Sequence, residues 1–453
     1  MQTKEQITLN KFSLQFILFA LVALIIGNLF GILAGFQYII PDFLKDLLPF
    51  TKIRPFHDST VISWIILAAT GSIYYAISNL EGLTIYSTKL TKLHFYLFLI
   101  IGVIIYISIG SGYMGGREYV AFIPILIVPI LLGWALFGVN YFKTVLKQVK
   151  NWPVYYWMWG TGIVFMIFHL AEAHFWFSPY FRENFVRDLT VQWKSYGSFV
   201  GSWNQLVYGL SIYIMAKIKN DDNVGRGKLA FFFYFLGLSN LMFGWAHHTY
   251  IIPMQAWIRY AAYGISMTEW IILGYMIYDW RKSLSIEKKE SNSLAYKFLI
   301  ATDFWVFINL LLALLISIPI INFFSHGTHI TVAHSMGTTI GINTMILFAS
   351  LFYIASRIDN TIDIKQTKLI KAFYLFNGSL AVFFGALIAA GLKRSEWMYF
   401  SKNVPFGEMK ISLANNYFVF LSSGIVMFIG ILLLSIPLFK TFLKSYIKTV
   451  MST

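Results

Sequence analysis

Residues 13–39 of the chain read SLQFILFALVALIIGNLFGILAGFQYI. The stretch contains no Asp, Glu, Lys or Arg. A helix needs about 20 consecutive apolar residues to cross the hydrocarbon core of a bilayer. This run is longer than that, and it therefore predicts a membrane-spanning helix.

Similar apolar runs recur along all 453 residues. Only 12% of the residues are charged and the mean hydropathy is +0.66, whereas a soluble chain is usually about 25% charged. A soluble all-α protein with a large core would need far more polar surface. The sequence therefore predicts an all-α, polytopic membrane protein, a single domain over residues 1–453. About twelve transmembrane helices are expected, roughly at 13–39, 57–79, 93–113, 119–145, 153–178, 194–217, 228–252, 255–281, 299–323, 331–356, 368–392 and 413–443.

The formal net charge is +15. In a soluble protein this excess might indicate nucleic-acid binding, but here the basic residues sit in the predicted loops. With twelve spans, the side that holds both termini collects about 23 Lys and Arg and the opposite, outer side about 12. We therefore expect both termini in the cytoplasm. The stretch MQTKEQITLNK has no signal-peptide cleavage site, so the first span is expected to be retained.

The chain has no cysteine. This excludes disulfides, Cys-ligated zinc, iron–sulfur clusters and a covalently attached c-type heme within the chain. A copper electron-entry centre with Cys ligands is excluded for the same reason. Any metal must be held by His, Met, carboxylate or Tyr.

Histidine carries the strongest functional signal. Ionisable side chains inside a bilayer are costly and usually functional, and His is the commonest metal ligand. Under the topology above, eight of the nine histidines fall near the outer side of the membrane, whereas chance would scatter them over both faces. These eight are His57, His169, His174, His247, His248, His326, His329 and His334.

Two local patterns narrow the site. Adjacent residues lie about 100° apart on a helix, so His247 and His248 can reach one metal only if it sits close to the helix wall. His334 and Met336 are two residues apart and project to nearly opposite faces, so one helix could ligate two separate cofactors. Such an arrangement is hard to explain by packing.

Two charged residues add to this pattern. Arg54 is well placed to pair with an anionic group at the membrane surface, such as a heme propionate. Glu269 lies near the middle of the eighth span without a neighbouring Lys or Arg. A mid-membrane carboxylate indicates a proton route or a metal-site partner; the alternative is a protonated Glu bonded to a neighbouring helix.

Five motifs in one order carry a family resemblance: RPFHDSTVISW, GGREYV, GWAHHTYIIP, GISMTEW and HGTHITVAHSMG. With these spacings the chain resembles the heme–copper oxidase superfamily, and most of all the catalytic subunit of bacterial nitric oxide reductases. The similarity runs from about span two through span ten. It implies the fold of that subunit in a bacterial inner (plasma) membrane.

The resemblance also implies ligands and cofactors. His57 matches the outer-side axial ligand of a low-spin heme b, and His334 matches the axial ligand of a high-spin heme b at the active site. His247 and His248 match ligands of a non-heme metal, iron or copper. Glu269 matches a glutamate that delivers protons to that centre. Glu118 matches one near the heme propionates that helps to hold a structural calcium ion, Ca²⁺.

The sequence departs from this pattern in three places. Met336 stands where such reductases have a second His ligand of the low-spin heme, which implies either His57/Met336 ligation, with a raised heme potential, or loss of that heme. Tyr196 stands where span six supplies a third His to the metal. Tyr196 could ligate as a phenolate, two histidines could suffice, or span five could contribute. The span-five candidates for this third metal ligand are His169, Glu172 and His174. The third departure is Val200, which stands where the family has a glutamate on span six.

The leading functional prediction is a membrane respiratory reductase that reduces a diatomic gas, nitric oxide to nitrous oxide. The alternatives are a cytochrome c oxidase-like oxygen reductase, a nitric oxide dismutase-like enzyme, and a non-catalytic diheme protein for electron transfer or gas sensing. A secondary transporter, which needs no heme, is a further class.

Because cysteine is absent, electrons must come from a c-type cytochrome, a copper protein or quinol. The short N-terminal segment favours a partner subunit. Membrane lipid is the remaining partner.

His326 and His329 lie in the outer loop before span ten. They are expected to bind heme propionates or to line the exit for gas and water, unless they are plain loop residues.

Overall fold

The computed structural model describes residues 4–359, 366–401 and 403–451. These ranges are almost entirely helical, and they contain no β-strand beyond one isolated bridge between Arg117 and Val120. The all-α prediction is confirmed. Twelve long helices lie in the described ranges: α1 Lys4–Ile39, α2 Phe50–Tyr75, α3 Thr88–Gly110, α4 Ile127–Val145, α5 Val154–Glu172, α6 Phe185–Lys219, α7 Lys228–Phe243, α8 Ala256–Ser283, α9 Ser293–Ser317, α10 His329–Ile358, α11 Gln366–Phe400 and α12 Ala414–Met451.

Ten helices of the described chain are long and apolar enough to cross a membrane. The other two long helices are α6 and α8, of 35 and 28 residues. Helix α6 is less apolar because polar residues such as Asn204 and Gln205 interrupt its central part, and Gln205 is buried against neighbouring helices. The chain is thus a multi-pass membrane protein with about twelve helices, as the sequence predicts.

The surface of the bundle is apolar, as lipid contact requires. Large side chains such as Ile107 and Phe418 are more than half exposed, and in water such a surface would be unfavourable. The core between the helices is dominated by indole and phenyl rings, among them the fully buried Trp64, Trp159 and Trp305. Helical hydrogen bonding satisfies the backbone polar groups in hydrocarbon, which is why helices span membranes.

Three segments near the histidines depart from the predicted helices. Helix α7 ends at Phe243, and Gly244–Thr249 form a 3₁₀ segment, although the sequence predicts one span over 228–252. Helix α10 contains a π-helical segment at Gly337–Thr344. The fourth span is predicted from residue 119, but residues 119–123 form a loop and α4 begins at Ile127 after a 3₁₀ turn.

Close approaches between helices bring the histidine-bearing segments together. A Cβ atom added at Gly197 of α6 would lie 2.6 Å from Trp245 Cβ, and one added at Gly341 of α10 would lie 2.8 Å from the Trp305 ring on α9. Only glycine permits these contacts. The Trp64 indole N–H of α2 donates to Thr344 Oγ1 of α10 over 3.0 Å, which ties the first histidine-bearing helix to the last.

Candidate functional site

An internal cavity of about 300 Å³ lies between α2, α6, α7, α9 and α10. Its wall includes His57 from α2, His247 and His248 from the 3₁₀ segment, and His334 and Met336 from α10. These residues are up to 279 positions apart (336 − 57) in the sequence. The structure thus brings five of the predicted ligand residues to one cavity.

His57 is held in a defined orientation against α1. Its Nδ1–H donates to the backbone oxygen of Gly27 over 2.8 Å, which leaves Nε2 as the nitrogen available to a metal. The ring packs against Gly31, where an added Cβ would lie 3.0 Å from His57 Cε1. Metal-ligating histidines usually donate their second ring N–H to a carbonyl or carboxylate, because this fixes the tautomer. The geometry of His57 therefore fits an axial ligand.

His247 and His248 face the same cavity from the 3₁₀ segment. Their ring centroids are 4.1 Å apart. Both ring nitrogens of His247 are buried and make no hydrogen bond of normal geometry to a described residue, although the Gly244 carbonyl lies near the ring. The expectation that the pair sits on an ordinary α-helix is wrong, since the 3₁₀ backbone presents both rings.

Two residues outside the motifs support the pair. Trp193 of α6 stacks on the His248 ring with centroids 5.6 Å apart and an interplanar angle of 13°. Asn322 Nδ2 donates to the backbone oxygen of His247 over 2.9 Å. Sequence reasoning missed both residues, because neither carries a motif and each contact joins segments distant in the chain.

His334 meets His247 across the cavity, with ring centroids 6.2 Å apart. Its Nδ1 is buried and makes no hydrogen bond of normal geometry within the described ranges, although the backbone of Asn309 lies near the ring. The thioether of Met336 also lines the cavity. Whether these two residues hold separate cofactors stays a prediction.

The histidines of the cavity wall fit single axial ligands of heme iron better than a complete metal site with three protein ligands. Buried imidazole nitrogens without a partner are costly, and a bound metal would satisfy them. However, no group of three or more His, Asp or Glu side chains in the described chain is arranged to hold a metal ion jointly. His247 and His248 are therefore a pair of candidate metal ligands, and a third metal ligand stays a prediction.

Tyr196 lines the cavity on α6 and is 3% exposed. Its hydroxyl makes no hydrogen bond of normal geometry to the described residues, although the Gln192 amide lies near it. Its ring packs edge-on against Tyr119, with centroids 5.6 Å apart. The charges of Arg117 and Glu118 are near enough to act on its phenol electrostatically. Metal ligation by Tyr196 stays a prediction.

A network of charges lies on the outer side of the bundle, the side opposite to both termini, and one member, Asp58, lines the cavity. Arg54 forms an ion pair with Glu118, and its Nε atom lies 3.7 Å from Asp58 Oδ2. Arg117 pairs with Asp188 at 2.8 Å. Arg54 and Glu118, predicted for a propionate and a calcium ion, thus neutralise each other in this structure.

The span-five alternatives for a third metal ligand lie outside the cavity wall. His169 Nδ1 is 2.9 Å from Glu172 Oε2, and Lys194 Nζ is 2.6 Å from Glu172 Oε1. The Nδ1–H of His174 donates to the Leu170 carbonyl over 2.8 Å. These groups form their own cluster between α5 and α6, so the structure does not place them as ligands.

The remaining predicted residues are more peripheral. His326 packs edge-on against Trp193, with centroids 6.5 Å apart, and burial lowers the pKa of His326 below its ordinary value. His329 lies between Tyr38 and Tyr417. Neither histidine contributes to the cavity wall. Glu269 belongs to α8, but its side chain lies outside the described part of the structure.

Known proteins resemble this chain over most of its length. It is 23% identical over 363 residues to a nitric oxide reductase subunit of Stutzerimonas stutzeri, covering 76% of this chain and 74% of that one. It is 22% identical over 362 residues to the Cbb3-type cytochrome c oxidase subunit CcoN1 of the same organism, covering 76% and 75%. A cryo-EM structure of a heme–copper terminal oxidase dimer has the same fold, with a TM-score of 0.73 and 16% identity, covering 97% of this chain and 84% of that one.

Residues 11–427 match the family described as Cytochrome C and Quinol oxidase polypeptide I. That match spans far more than half of the chain. Proteins of this family are membrane oxidoreductases that bind hemes and a catalytic metal and work with electron-donating partners. The arrangement of histidines around one cavity agrees with this match, and the chain therefore belongs to the Cytochrome C and Quinol oxidase polypeptide I family, the subunit I family of heme–copper oxidases.

Proposed function

We propose that the chain is the catalytic subunit of a membrane respiratory reductase that converts nitric oxide to nitrous oxide. One observation carries the proposal: His57, His247, His248 and His334 converge on one cavity from three separate segments. The 23% identity to a nitric oxide reductase subunit supports the choice of gas. Two b-type hemes and one non-heme metal are the proposed cofactors, as the resemblance implies.

The ligand assignment follows the cavity wall. His57, through Nε2, and Met336 would hold the low-spin heme, and His334 would hold the high-spin heme. His247 and His248 would hold the non-heme metal. When bound, these groups would supply electron transfer and a binding position for the gas. A raised potential is expected for the heme with a Met ligand, because thioether ligation favours reduced iron.

Neighbouring backbone and side-chain groups orient those ligands. The Gly27 carbonyl fixes the His57 tautomer. Asn322 holds the backbone of His247, and Trp193 fixes the ring plane of His248. Orientation of this kind maintains ligand geometry through fixed tautomers and restricted rotamers.

Proton supply is assigned to two residues. The Tyr196 hydroxyl is buried at the cavity wall and can donate a hydrogen bond to a gas-derived oxygen. Glu269 is proposed as the carboxyl group that passes protons to the site from mid-membrane. Arg54 and Glu118 are proposed to adjoin the heme propionates and a calcium ion. Hydrophobic lining residues such as Val306 and Leu310 keep bulk water out of the cavity.

Oxygen reduction is the second candidate, and Val200 is the observation that favours it. This apolar residue lines the cavity at the position where the resemblance expects a glutamate. A metal site with imidazole ligands and no carboxylate suits copper better than a site with mixed nitrogen and oxygen ligands. The oxidase relative is nearly as similar as the nitric oxide reductase, at 22% identity.

The proposed setting is a bacterial inner membrane with both termini in the cytoplasm. The whole of residues 1–453 would form a single catalytic domain. The electron donor is proposed to be a c-type cytochrome, a copper protein or quinol. This donor would act at the outer end, where the His57 segment begins.

Measurements on one purified sample test the proposal. Heme is quantified by the pyridine hemochrome spectrum, iron and copper by mass spectrometry, and consumption of nitric oxide and oxygen by electrodes. The expected result is two hemes b and one non-heme metal per chain, with nitric oxide consumption. Faster oxygen than nitric oxide consumption supports the second candidate. Hemes without the additional metal or any turnover would make the chain a non-catalytic diheme protein, and a colourless preparation would refute heme binding altogether.

A further inference from the structure

A short helix between α9 and α10, Pro319–Ser325, contacts the histidine pair from behind the cavity wall. Asn322, in the middle of this helix, is 3% exposed. Its Nδ2 donates to the backbone oxygen of His247 over 2.9 Å and to that of Ile316 over 2.8 Å. One amide group therefore joins the end of α9 to the 3₁₀ segment that carries the pair.

The same turn also reaches His248, through an aromatic ring. The backbone N–H of His326 caps the short helix by donating to the Asn322 oxygen over 2.8 Å. The His326 ring packs edge-on against Trp193, and the Trp193 ring stacks on His248. Both members of the pair are thus supported from one turn, His247 at its backbone and His248 at its ring.

Helix α11 fixes the position of this turn. Ser395 Oγ donates to the backbone oxygen of Phe324, and the Tyr399 hydroxyl donates to that of Phe323, both over 2.7 Å. The last carbonyl groups of a helix have no partner within the helix, so the two hydroxyls satisfy acceptors that the short helix leaves open. The Tyr399 ring also packs against the rings of Phe323 and Phe324, with centroids 5.0 Å from each. The short helix therefore connects α11 to the histidine pair.

The backbone of the pair needs support from outside its own segment. Runs of 3₁₀ helix longer than about four residues are uncommon, because their hydrogen-bond geometry is poor, and Gly244–Thr249 is a run of six residues. A rotation of this backbone would change the distance and the angle between the two imidazole rings, whose centroids are 4.1 Å apart. The contacts at His247 and His248 oppose that rotation.

We propose that Asn322 and His326 are positioning residues for the non-heme metal, and that they hold the two imidazoles in one mutual orientation that a single metal ion can use. The inference rests on the proposed function in one respect, that His247 and His248 bind this metal. Loss of a group that orients a metal ligand typically weakens metal binding about 10- to 100-fold. His57 is oriented by the Gly27 carbonyl instead, so the low-spin heme should not depend on Asn322.

Replacement of Asn322 by leucine tests the inference, because leucine is similar in size and donates no hydrogen bond. Asn140→Leu is the matched control. Asn140 is also buried, and its Nδ2 likewise donates to two acceptors, the Ser87 carbonyl over 3.1 Å and Thr91 Oγ1 over 2.8 Å. These contacts join α4 to the start of α3, away from the cavity wall.

The wild type and both variants are purified as the full-length chain and incubated with Fe²⁺ or Cu²⁺. Heme is quantified by the pyridine hemochrome spectrum, and non-heme metal is the total iron and copper by mass spectrometry less the heme iron. Release of the non-heme metal to added EDTA is then followed with time. The thermal unfolding midpoint of each protein measures any general loss of stability.

N322L is expected to release the non-heme metal at least about tenfold faster than the wild type, with unchanged heme content. N140L should release the metal at the wild-type rate, even though its unfolding midpoint falls. If either variant does not fold, Tyr399→Phe and Tyr141→Phe replace the two. Each removes one hydroxyl that donates to a backbone carbonyl, and Tyr141 does so between α4 and α5. Y399F should release the metal faster than Y141F.

Equal rates of metal release in N322L and N140L, or in Y399F and Y141F, would overturn the inference. Loss of heme together with the metal in N322L would also overturn it, because the effect would then be general. A wild type that takes up neither iron nor copper beyond its hemes would refute the inference and the proposed metal ligands together. A wild type that binds the metal without consuming nitric oxide contradicts only the proposed gas chemistry, and faster metal release from N322L than from N140L would still support the inference.

Discussion

Replacement of Gly31 by alanine tests the assignment of His57 as a heme ligand without touching the imidazole itself. The added methyl group would lie 3.0 Å from His57 Cε1 and 3.1 Å from Nδ1. Ordinary carbon contacts are about 3.5–4.0 Å, so the ring must move by about half an ångström or more. That movement also strains the 2.8 Å hydrogen bond from Nδ1 to the Gly27 carbonyl.

The size of the effect follows from two terms. Overpacking of one methyl group in a tight core costs about 1–3 kcal/mol, and weakening a neutral hydrogen bond costs about 0.5–1.5 kcal/mol. If the overpacking cost falls entirely on the bond between His57 and the heme iron, heme ligation weakens by about 5- to 150-fold, because 1.4 kcal/mol is about tenfold. The weakened hydrogen bond adds to this loss. G31A should therefore lose part of its six-coordinate low-spin heme and shift the reduction potential of the remainder.

Gly102→Ala is the matched control. Gly102 also lies within a helix, α3, and no described atom comes within 4 Å of a Cβ atom added there. Both variants gain the same helix propensity from Gly to Ala. Low-temperature optical spectra, electron paramagnetic resonance and a redox titration of both variants provide the comparison. A low-spin heme in G31A indistinguishable from that in G102A would refute the assignment of His57.

Further predictions concern the other ligands and the proton groups. Met336→His should keep a six-coordinate heme with a lower reduction potential in a redox titration; an unchanged potential would show that Met336 is not a ligand. Glu269→Gln should retain its hemes by pyridine hemochrome and lose at least tenfold in turnover, whereas full activity would remove Glu269 from the proton route. Tyr196→Phe should lower turnover about tenfold or more if the hydroxyl donates to the bound gas; wild-type turnover would exclude that role. Glu172→Gln should leave metal content by mass spectrometry unchanged, because Glu172 pairs with Lys194 outside the cavity; metal loss would bring span five back as a ligand source.

The span pattern could be predicted because it depends on local composition. Each run must transfer its own side chains and backbone into hydrocarbon, so residues 13–39 indicate a spanning helix regardless of the rest of the chain. The same local logic predicts the depth of the histidines. It fails for the backbone of His247 and His248, because the change from α to 3₁₀ geometry after Phe243 gives no signal in the residue pattern.

The sequence by itself determined the membrane class, the approximate spans and the residue types that can ligate a cofactor. Only the tertiary structure decided which of them meet. The Gly27 carbonyl that orients His57, the Trp193 ring against His248 and the pairing of Glu172 with Lys194 each join different helices. The physical reason is that membrane insertion sums contributions from neighbouring residues, whereas orientation and pairing depend on how closely distant helices can approach.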